Sequence, residues 1–248
     1  MTAGLPETVD AVLPLSPAQS GILFHSLGAE AAGSYVGVVC ADLHGDLDAD
    51  RLRAAFTDAV NATDALRAAF VWEGVKRPLQ VVQKRVDVPW EVVDWQGEVD
   101  VADRTADLTT RYRHNGFDLT KAPLMHVTLA RLGPGQARLI WAVHHIVSDG
   151  WSTRCVLDAI LARYNGPEVP KGAQFRDYLG WLKARDGAGE RAVWQRYLSG
   201  GSAPTRIETR GASDGAVHQH AQRMVPATIA DRIEAQARSL RITQSTLL

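Results

Sequence analysis

The sequence predicts an α/β protein in which a mixed β-sheet is flanked by helices, and three observations lead to this prediction. Segments with alternating or β-branched apolar residues are interleaved with segments whose apolar residues recur at helical spacing. Two neighbouring strand-like segments, 124–132 and 137–143, flank a Gly-Pro-Gly turn and therefore predict an antiparallel hairpin. The chain has 248 residues, of which 46% are hydrophobic and 22% charged, so it can bury a substantial core.

Composition narrows the possible classes of protein. The net charge of −1 gives no sign of a nucleic acid or an anionic membrane surface as partner. Cys40 and Cys155 are too few for a disulfide framework and show no Cys-x-x-Cys spacing, so we expect two buried thiols in a reducing compartment. The N-terminus has no basic-then-apolar leader, and no run of about 18 apolar residues is present. A cytoplasmic protein without a membrane span is expected.

The first half of the chain predicts three helices and four strands in alternation, with one strand before the second helix and three strands before the third. Ser16-Pro17 is a helix start signal, and Asp48 is a candidate N-cap for the helix that follows it. The predicted elements are a helix within 13–28, a strand at 35–45, a helix at 49–66, strands at 67–74, 78–85 and 88–95, and a helix at 100–113.

Helical patterns dominate after residue 151. They cover 152–166, 173–187 and 190–201, and a Gly- and Ser-rich loop is predicted at 199–215. A strand at 216–226 is followed by a helix that opens at Pro226 and reaches about Leu240. Thr243 is a candidate cap for the first turn of another helix.

One short stretch carries the candidate chemistry. Residues 141–151 read WAVHHIVSDGW, so two adjacent histidines stand at the end of a predicted strand. Leu139, Trp141, Val143 and His145 fall on one face of that strand, and Ile140, Ala142 and His144 on the other. Both faces are apolar, which predicts a central strand covered on both sides. One histidine should therefore be a core residue, and only the other can face a cleft.

Three interpretations of this stretch compete. A metal site would use His145 and Asp149, but Ile146 and Val147 extend a β-branched run and Asp149-Gly150 marks a turn, so the helical spacing that such a pair needs is not expected. The pair His218 and His220 lacks an acidic or cysteine neighbour, and no metal is predicted. A strand end with hydrogen-bonded histidines and a general base are the other two interpretations, since neutral imidazole accepts protons near pH 7.

Several motifs of the chain resemble those of one known protein family. HHIVSDGWS at 144–152 resembles the HHxxxDGxS motif of the condensation domains of nonribosomal peptide synthetases, in the chloramphenicol acetyltransferase-like superfamily. Further resemblances follow in the family's order: LSPAQSGILFHSL at 15–27, DALRAAF at 64–70, GFDLTKAPLMHVTL at 116–129 and FRDYLGWL at 175–182. The resemblance implies a layered fold of two lobes, with residues 1–226 as the N-terminal lobe and 227–248 as the start of the C-terminal lobe.

The resemblance also implies roles for individual residues. His145 would lie at the mouth of a catalytic tunnel, where it would deprotonate or position the attacking amine. His144 would face the core, and Asp149 would pair with Arg67 to hold the loop that presents His145. The N–H of Gly150 would be a donor to the developing oxyanion. Ala68 and Asp64 depart from the residues usual in the family, without touching the proposed base.

The implied reaction is amide formation between a donor acyl or peptidyl thioester and the amine of an acceptor aminoacyl thioester. Both substrates would arrive on the phosphopantetheine arms of carrier proteins, and the domain itself would need no cofactor. Expected partners are the upstream donor and downstream acceptor carrier proteins, the C-terminal lobe and an adenylation domain. We expect residues 1–248 alone to be inactive. The alternatives are an epimerization domain, a coenzyme A-dependent acyltransferase and a non-catalytic recruitment domain of the same fold.

Overall fold

The structure is a computed structural model that describes residues 6–28, 33, 35–166, 172–201 and 223–248. Two compact units are formed, Met1–Gly187 and Ala188–Leu248. The lobe boundary after residue 226 differs from this division into units and stays a prediction. The predicted pair His218 and His220, most of the predicted loop at 199–215 and most of the predicted strand at 216–226 lie outside the described residues.

The first unit contains all of the strands in the described residues. Its elements are β1 (Val9–Pro14), α1 (Pro17–Ser26), β2 (Val36–His44), α2 (Ala49–Asn61), a 3-10 helix (Asp64–Arg67), β3 (Ala68–Val71), β4 (Leu79–Gln83), β5 (Trp90–Asp94), α3 (Val101–Asn115), β6 (Met125–Gly133), β7 (Gln136–His144), α4 (Gly150–Asn165) and α5 (Phe175–Ala184). In the second unit lie nearly all of α6 (Gly187–Leu198), together with α7 (Ala227–Leu240) and α8 (Gln244–Leu247). Thr243 caps α8 as predicted.

The strands form two sheets. One is antiparallel with the order β1-β4-β3, and the other is mixed with the order β2-β7-β6-β5, in which β5 runs parallel to β6. The predicted hairpin is confirmed, because β6 and β7 pair antiparallel across the turn at Gly133 and Gln136. Strand β1 was not predicted, since its sequence VDAVLP leads directly into the start signal of α1. The predicted α/β class with a mixed sheet flanked by helices is confirmed.

Strand β7 is buried on both faces, as its sequence predicts. Trp141 is fully buried in the larger core and meets Phe56 of α2 edge to face, with ring centroids 5.4 Å apart. On the other face Ile140 packs with Trp95 and Leu108 of a smaller core. The end of β7 is therefore held firmly between two hydrophobic layers, and this fixes the residues that follow it.

A cluster of ion pairs ties three separate elements together. Asp64 is fully buried, and its carboxylate accepts from the backbone N–H of Phe175 at 2.8 Å and from Nε of Arg176 at 3.0 Å. Arg176 also donates to Asp10 at 2.6 Å, and Arg67 reaches the same carboxylate at 3.3 Å. The hydrogen bond from Arg176 is the main cause that lowers the pKa of Asp10. This cluster joins α5, the 3-10 helix and β1.

The structure contradicts what the sequence predicts for the two cysteines. The prediction of buried thiols is wrong, because Cys40 lies on β2 at the edge of its sheet, Cys155 lies on α4, and both are exposed and free. Among the described residues no helix combines the length and apolar character needed to cross a membrane.

Candidate active site at the end of strand β7

The backbone of the neighbouring strands fixes both histidines. The N–H of His144 donates to the carbonyl of Leu124 at 3.0 Å, and the N–H of His145 donates to the carbonyl of Tyr35 at 2.8 Å. His145 is already the first residue of the turn that follows β7, but its backbone N–H still continues the ladder on the β2 side. His144 is buried at 5% exposure, whereas His145 is exposed. The two histidines thus lie on opposite sides, as strand alternation predicts.

Among the described residues, the hydrogen bonding of the His145 ring occupies Nδ1 and leaves Nε2 without a partner. Its Nδ1 lies 3.0 Å from the carbonyl oxygen of Ser148. Because a carbonyl only accepts, Nδ1 carries the proton in the neutral ring and Nε2 keeps its lone pair. The ring lies against the backbone of β2, where a Cβ at Gly37 would come within 3.0 Å of both Cε1 and Nε2. The outer histidine is therefore an oriented proton acceptor.

In the His144 ring Nδ1 is a hydrogen-bond acceptor, whereas in the His145 ring it is a donor. Nδ1 of His144 accepts the backbone N–H of Ile146 at 3.1 Å, so the proton of the neutral ring is on Nε2. Phe117 meets the ring edge to face, and both residues line a cavity of about 130 Å³. Burial lowers the pKa of His144 to about 4, with a smaller contribution from His145. The inner histidine is a neutral core residue.

Asp149 begins helix α4. Its Oδ1 accepts the N–H of Ser152 at 2.7 Å and the Ser152 hydroxyl at 2.6 Å, and its own N–H donates to that hydroxyl at 2.7 Å. This capping box satisfies donors that a helix start would otherwise leave open. The hydrogen bond from the Ser152 side chain is the main cause that lowers the pKa of Asp149.

The predicted ion pair between Asp149 and Arg67 is wrong. Arg67 instead contacts Asp10 and the carbonyl of Gln83, beside strands β1 and β4. The reason is local: a carboxylate at a helix N-cap is satisfied by the amides of its own first turn and needs no distant cation. The loop of His145 is therefore anchored by helix capping at this point and not by an arginine.

Gly150 is the first residue of α4. The N–H groups in the first turn of a helix have no acceptor inside the helix, so the Gly150 amide is available to a ligand. A Cβ at this position would meet nothing within 4 Å, and the neighbouring Trp151 is 84% exposed. The described residues therefore leave room at the Cβ position of Gly150. Its role as an oxyanion donor stays a prediction.

Sequence reasoning missed two parts of this site. Ser148 acts through its backbone carbonyl, for which the sequence contains no signal. Gly37 could have been found, because a glycine inside a strand often marks a close approach of another group. Within the described residues, no group of three or more histidine, cysteine or acidic side chains could hold a metal ion.

Comparison with known proteins identifies the family. A family model described as "Condensation domain" matches residues 9–248, and the chain therefore belongs to the condensation-domain family. Tyrocidine synthase 3 from Brevibacillus parabrevis is 31% identical over 203 residues, which cover 78% of this chain and 3% of that protein. Chondramide synthase cmdD from Chondromyces crocatus is 29% identical over 292 residues, which cover 97% of this chain and 7% of that protein.

The fold comparison agrees with this assignment. The condensation domain of Monacolin K polyketide synthase MokA superposes with a TM-score of 0.74 and 18% identity, over 96% of this chain and 57% of that chain. The chain therefore has the layered chloramphenicol acetyltransferase-like fold. It spans a few per cent of the length of the related synthases and a little over half of the solved domain.

Proposed function

We propose that the chain contributes the catalytic histidine of a condensation domain that forms an amide bond between two carrier-bound substrates. The acceptor amine attacks the carbonyl of the donor thioester, the C–N bond forms, and the C–S bond breaks. The proton lost by the amine ends on the departing sulfur. The observation that carries this proposal is the fixed His145 ring, whose Nδ1 is bound to Ser148 while Nε2 is left as an acceptor.

His145 acts on the amine in this proposal. An α-amine has a pKa of about 8, so part of it is already neutral at pH 7. Nε2 accepts a hydrogen bond from this amine and holds it in line for attack, then takes its proton as the positive charge develops. The Gly150 amide, at the open start of α4, donates to the oxyanion of the tetrahedral intermediate.

The partners follow from this reaction. We propose that donor and acceptor carrier proteins deliver the substrates on phosphopantetheine arms, and that the domain holds no cofactor of its own. The family's second lobe and an adenylation domain would be neighbours in the same cytoplasmic synthetase. The relatives named above are synthases many times longer than this chain, which supports such an arrangement.

We also propose that the 248-residue chain alone forms amide bonds slowly. His145 is exposed in it, and Trp151 beside the Gly150 amide is 84% exposed. Hydrogen bonds to developing charge are far stronger where water is excluded. A second wall over His145 and Gly150 would be needed to supply that environment.

The test measures products in the synthetase that carries this chain. The donor and acceptor thioesters are loaded on their carriers, and mass spectrometry of the acceptor carrier should show the joined product for the parent and not for His145→Ala. Exchange of the α-hydrogen for solvent deuterium without a new amide would overturn the proposal in favour of epimerization. Capture of the carriers with neither product would overturn it in favour of recruitment.

A further inference from the structure

Two buried glutamine side chains are hydrogen-bonded to each other beside the turn that follows His145. Gln19 of α1 is 5% exposed and Gln80 of β4 is fully buried. Nε2 of Gln19 donates to Oε1 of Gln80 at 3.3 Å, and Nε2 of Gln80 donates to Oε1 of Gln19 at 3.1 Å. Neither residue belongs to the site described above.

The same polar atoms of this pair also reach three backbone segments. Nε2 of Gln19 also donates to the carbonyl of Ile146 at 3.2 Å, and Nε2 of Gln80 also donates to the carbonyl of Pro14 at 2.8 Å. Oε1 of Gln19 accepts the N–H of Ser16 at 3.0 Å. The pair thus connects the start of α1 and the end of β1 with the residue that follows His145.

Both amides have their donors fully used. Burying an amide is costly unless its hydrogen bonds are made, and an apolar pair of the same size would avoid that cost. Here all four side-chain N–H groups have acceptors. A closed polar network of this kind fixes one arrangement of the backbone groups that it contacts.

The glutamine pair affects His145 through its hydrogen bond to the carbonyl of Ile146. Strand β7 ends at His144, and within the described part of the chain the backbone bonds of the turn that follows are those from His145 to Tyr35 and from Val147 to His144. The N–H of Ile146 is held by Nδ1 of His144, and its carbonyl is held by Gln19. Two residues later, the Ser148 carbonyl binds Nδ1 of His145.

We propose that Gln19 and Gln80 are positioning residues for His145. Their amide pair fixes the Ile146 carbonyl, and through the turn 146–148 it fixes the Ser148 carbonyl that sets the tautomer of the imidazole. The catalytic value of this device rests on the function proposed above, whereas the device itself is a property of the fold.

The test uses Gln19→Met in the 248-residue chain. Methionine keeps the length of the side chain but cannot donate to Ile146. Long-range ¹H–¹⁵N NMR of the His145 ring reports the ratio of the tautomer protonated on Nδ1 to the tautomer protonated on Nε2. We expect that ratio to fall by about fivefold or more from the parent value, which corresponds to the loss of one hydrogen bond. An unchanged ratio overturns the proposal.

Asn61→Leu is the matched control. Its amide donates to the carbonyls of Thr57 and Val86 and accepts the N–H of Val86, so it is equally well connected but remote from the turn. The His145 tautomer ratio should stay at the parent value in this variant. An equal fall of the tautomer ratio in both variants would indicate that any lost buried amide makes the protein less rigid, and it would overturn the proposal.

A second measurement needs no variant. Hydrogen exchange of the Gln19 carboxamide in the parent chain should be at least about tenfold slower than that of Gln96, which is exposed. Equal rates overturn the proposal even if Gln19→Met does not fold. The amide-forming assay of His145→Ala decides the function separately, because a dispensable His145 leaves the NMR result as it stands.

Discussion

The two sides of the sheet at the end of β7 hold the same kind of residue in opposite states. On the inner side His144 is buried, accepts through Nδ1 and has its pKa lowered to about 4. On the outer side His145 is exposed and donates through Nδ1, while no described residue binds its Nε2. The side chain alone therefore does not define a base; strand alternation and two backbone partners decide which histidine can accept a proton.

The largest expected effect is on the outer side. Substituting His145 by alanine in the synthetase should lower the rate of amide formation by about 100- to 10,000-fold, the usual value of a positioned proton acceptor. His44→Ala is the matched control, since His44 is exposed at the other end of β2. The measurement is the initial rate with loaded carriers. A parent-like rate in His145→Ala would break the comparison.

The comparison of a buried with an exposed side chain also applies to two aspartates and their contributions to the free energy of unfolding. Asp64 is buried and bound by Arg176 and two backbone amides, so Asp64→Ala should cost about 3 kcal/mol of unfolding free energy. Asp149 is exposed, and among the described residues its carboxylate bonds within its own helix turn, so Asp149→Ala should cost about 1 kcal/mol. Urea unfolding of both variants measures the difference. Equal losses would show that the buried cluster does not stabilise α5 as described.

The inner histidine should make stability depend on pH. Because burial lowers the pKa of His144 from 6.5 to about 4, the unfolded chain binds its proton first as the pH falls. Unfolding free energy should therefore drop by about 2 kcal/mol between pH 7 and pH 5 through this group alone. His144→Asn keeps an acceptor for Ile146 and should lose this part of the pH dependence. Parallel pH profiles for the parent and the variant would contradict the assignment.

The smallest expected effect concerns Gly37. A Cβ there would press within 3.0 Å of the His145 ring, so Gly37→Ala should displace the ring by a few tenths of an ångström. We expect the rate of amide formation to fall by about tenfold, since reacting groups tolerate little misplacement. Gly133→Ala, on β6 with nothing within 4 Å, is the matched control. Equal rates in the two variants would remove Gly37 from the site.

Much of the fold could be predicted because its signals are local. The hairpin of β6 and β7, the central position of β7 and the caps at Asp48 and Thr243 follow from periodicity, turn residues and capping. Strand β1 could not be predicted in the same way. It is short, it runs into the start of α1, and its pairing with β4 is a long-range contact that no local pattern reveals.

The site shows the same limit. The opposite directions of His144 and His145 follow from strand alternation. The partner of the Asp149 carboxylate could not be predicted, because an aspartate that caps a helix and one that pairs with an arginine look alike in sequence. The first turn of α4 decides between the two roles. Gln19 and Gln80 donate to backbone carbonyls far away in sequence, and Ser148 acts through its own carbonyl, for which no side-chain pattern exists, so these roles needed the structure.

The most direct test of the central claim is the tautomeric state of the two adjacent histidines. Long-range ¹H–¹⁵N NMR of the 248-residue chain distinguishes the two neutral tautomers of each ring. We expect the proton of His145 on Nδ1 and that of His144 on Nε2, in keeping with their bonds to the Ser148 carbonyl and the Ile146 N–H. A His145 ring with its proton on Nε2 would contradict the account, because the outer nitrogen could then not accept the proton of an amine.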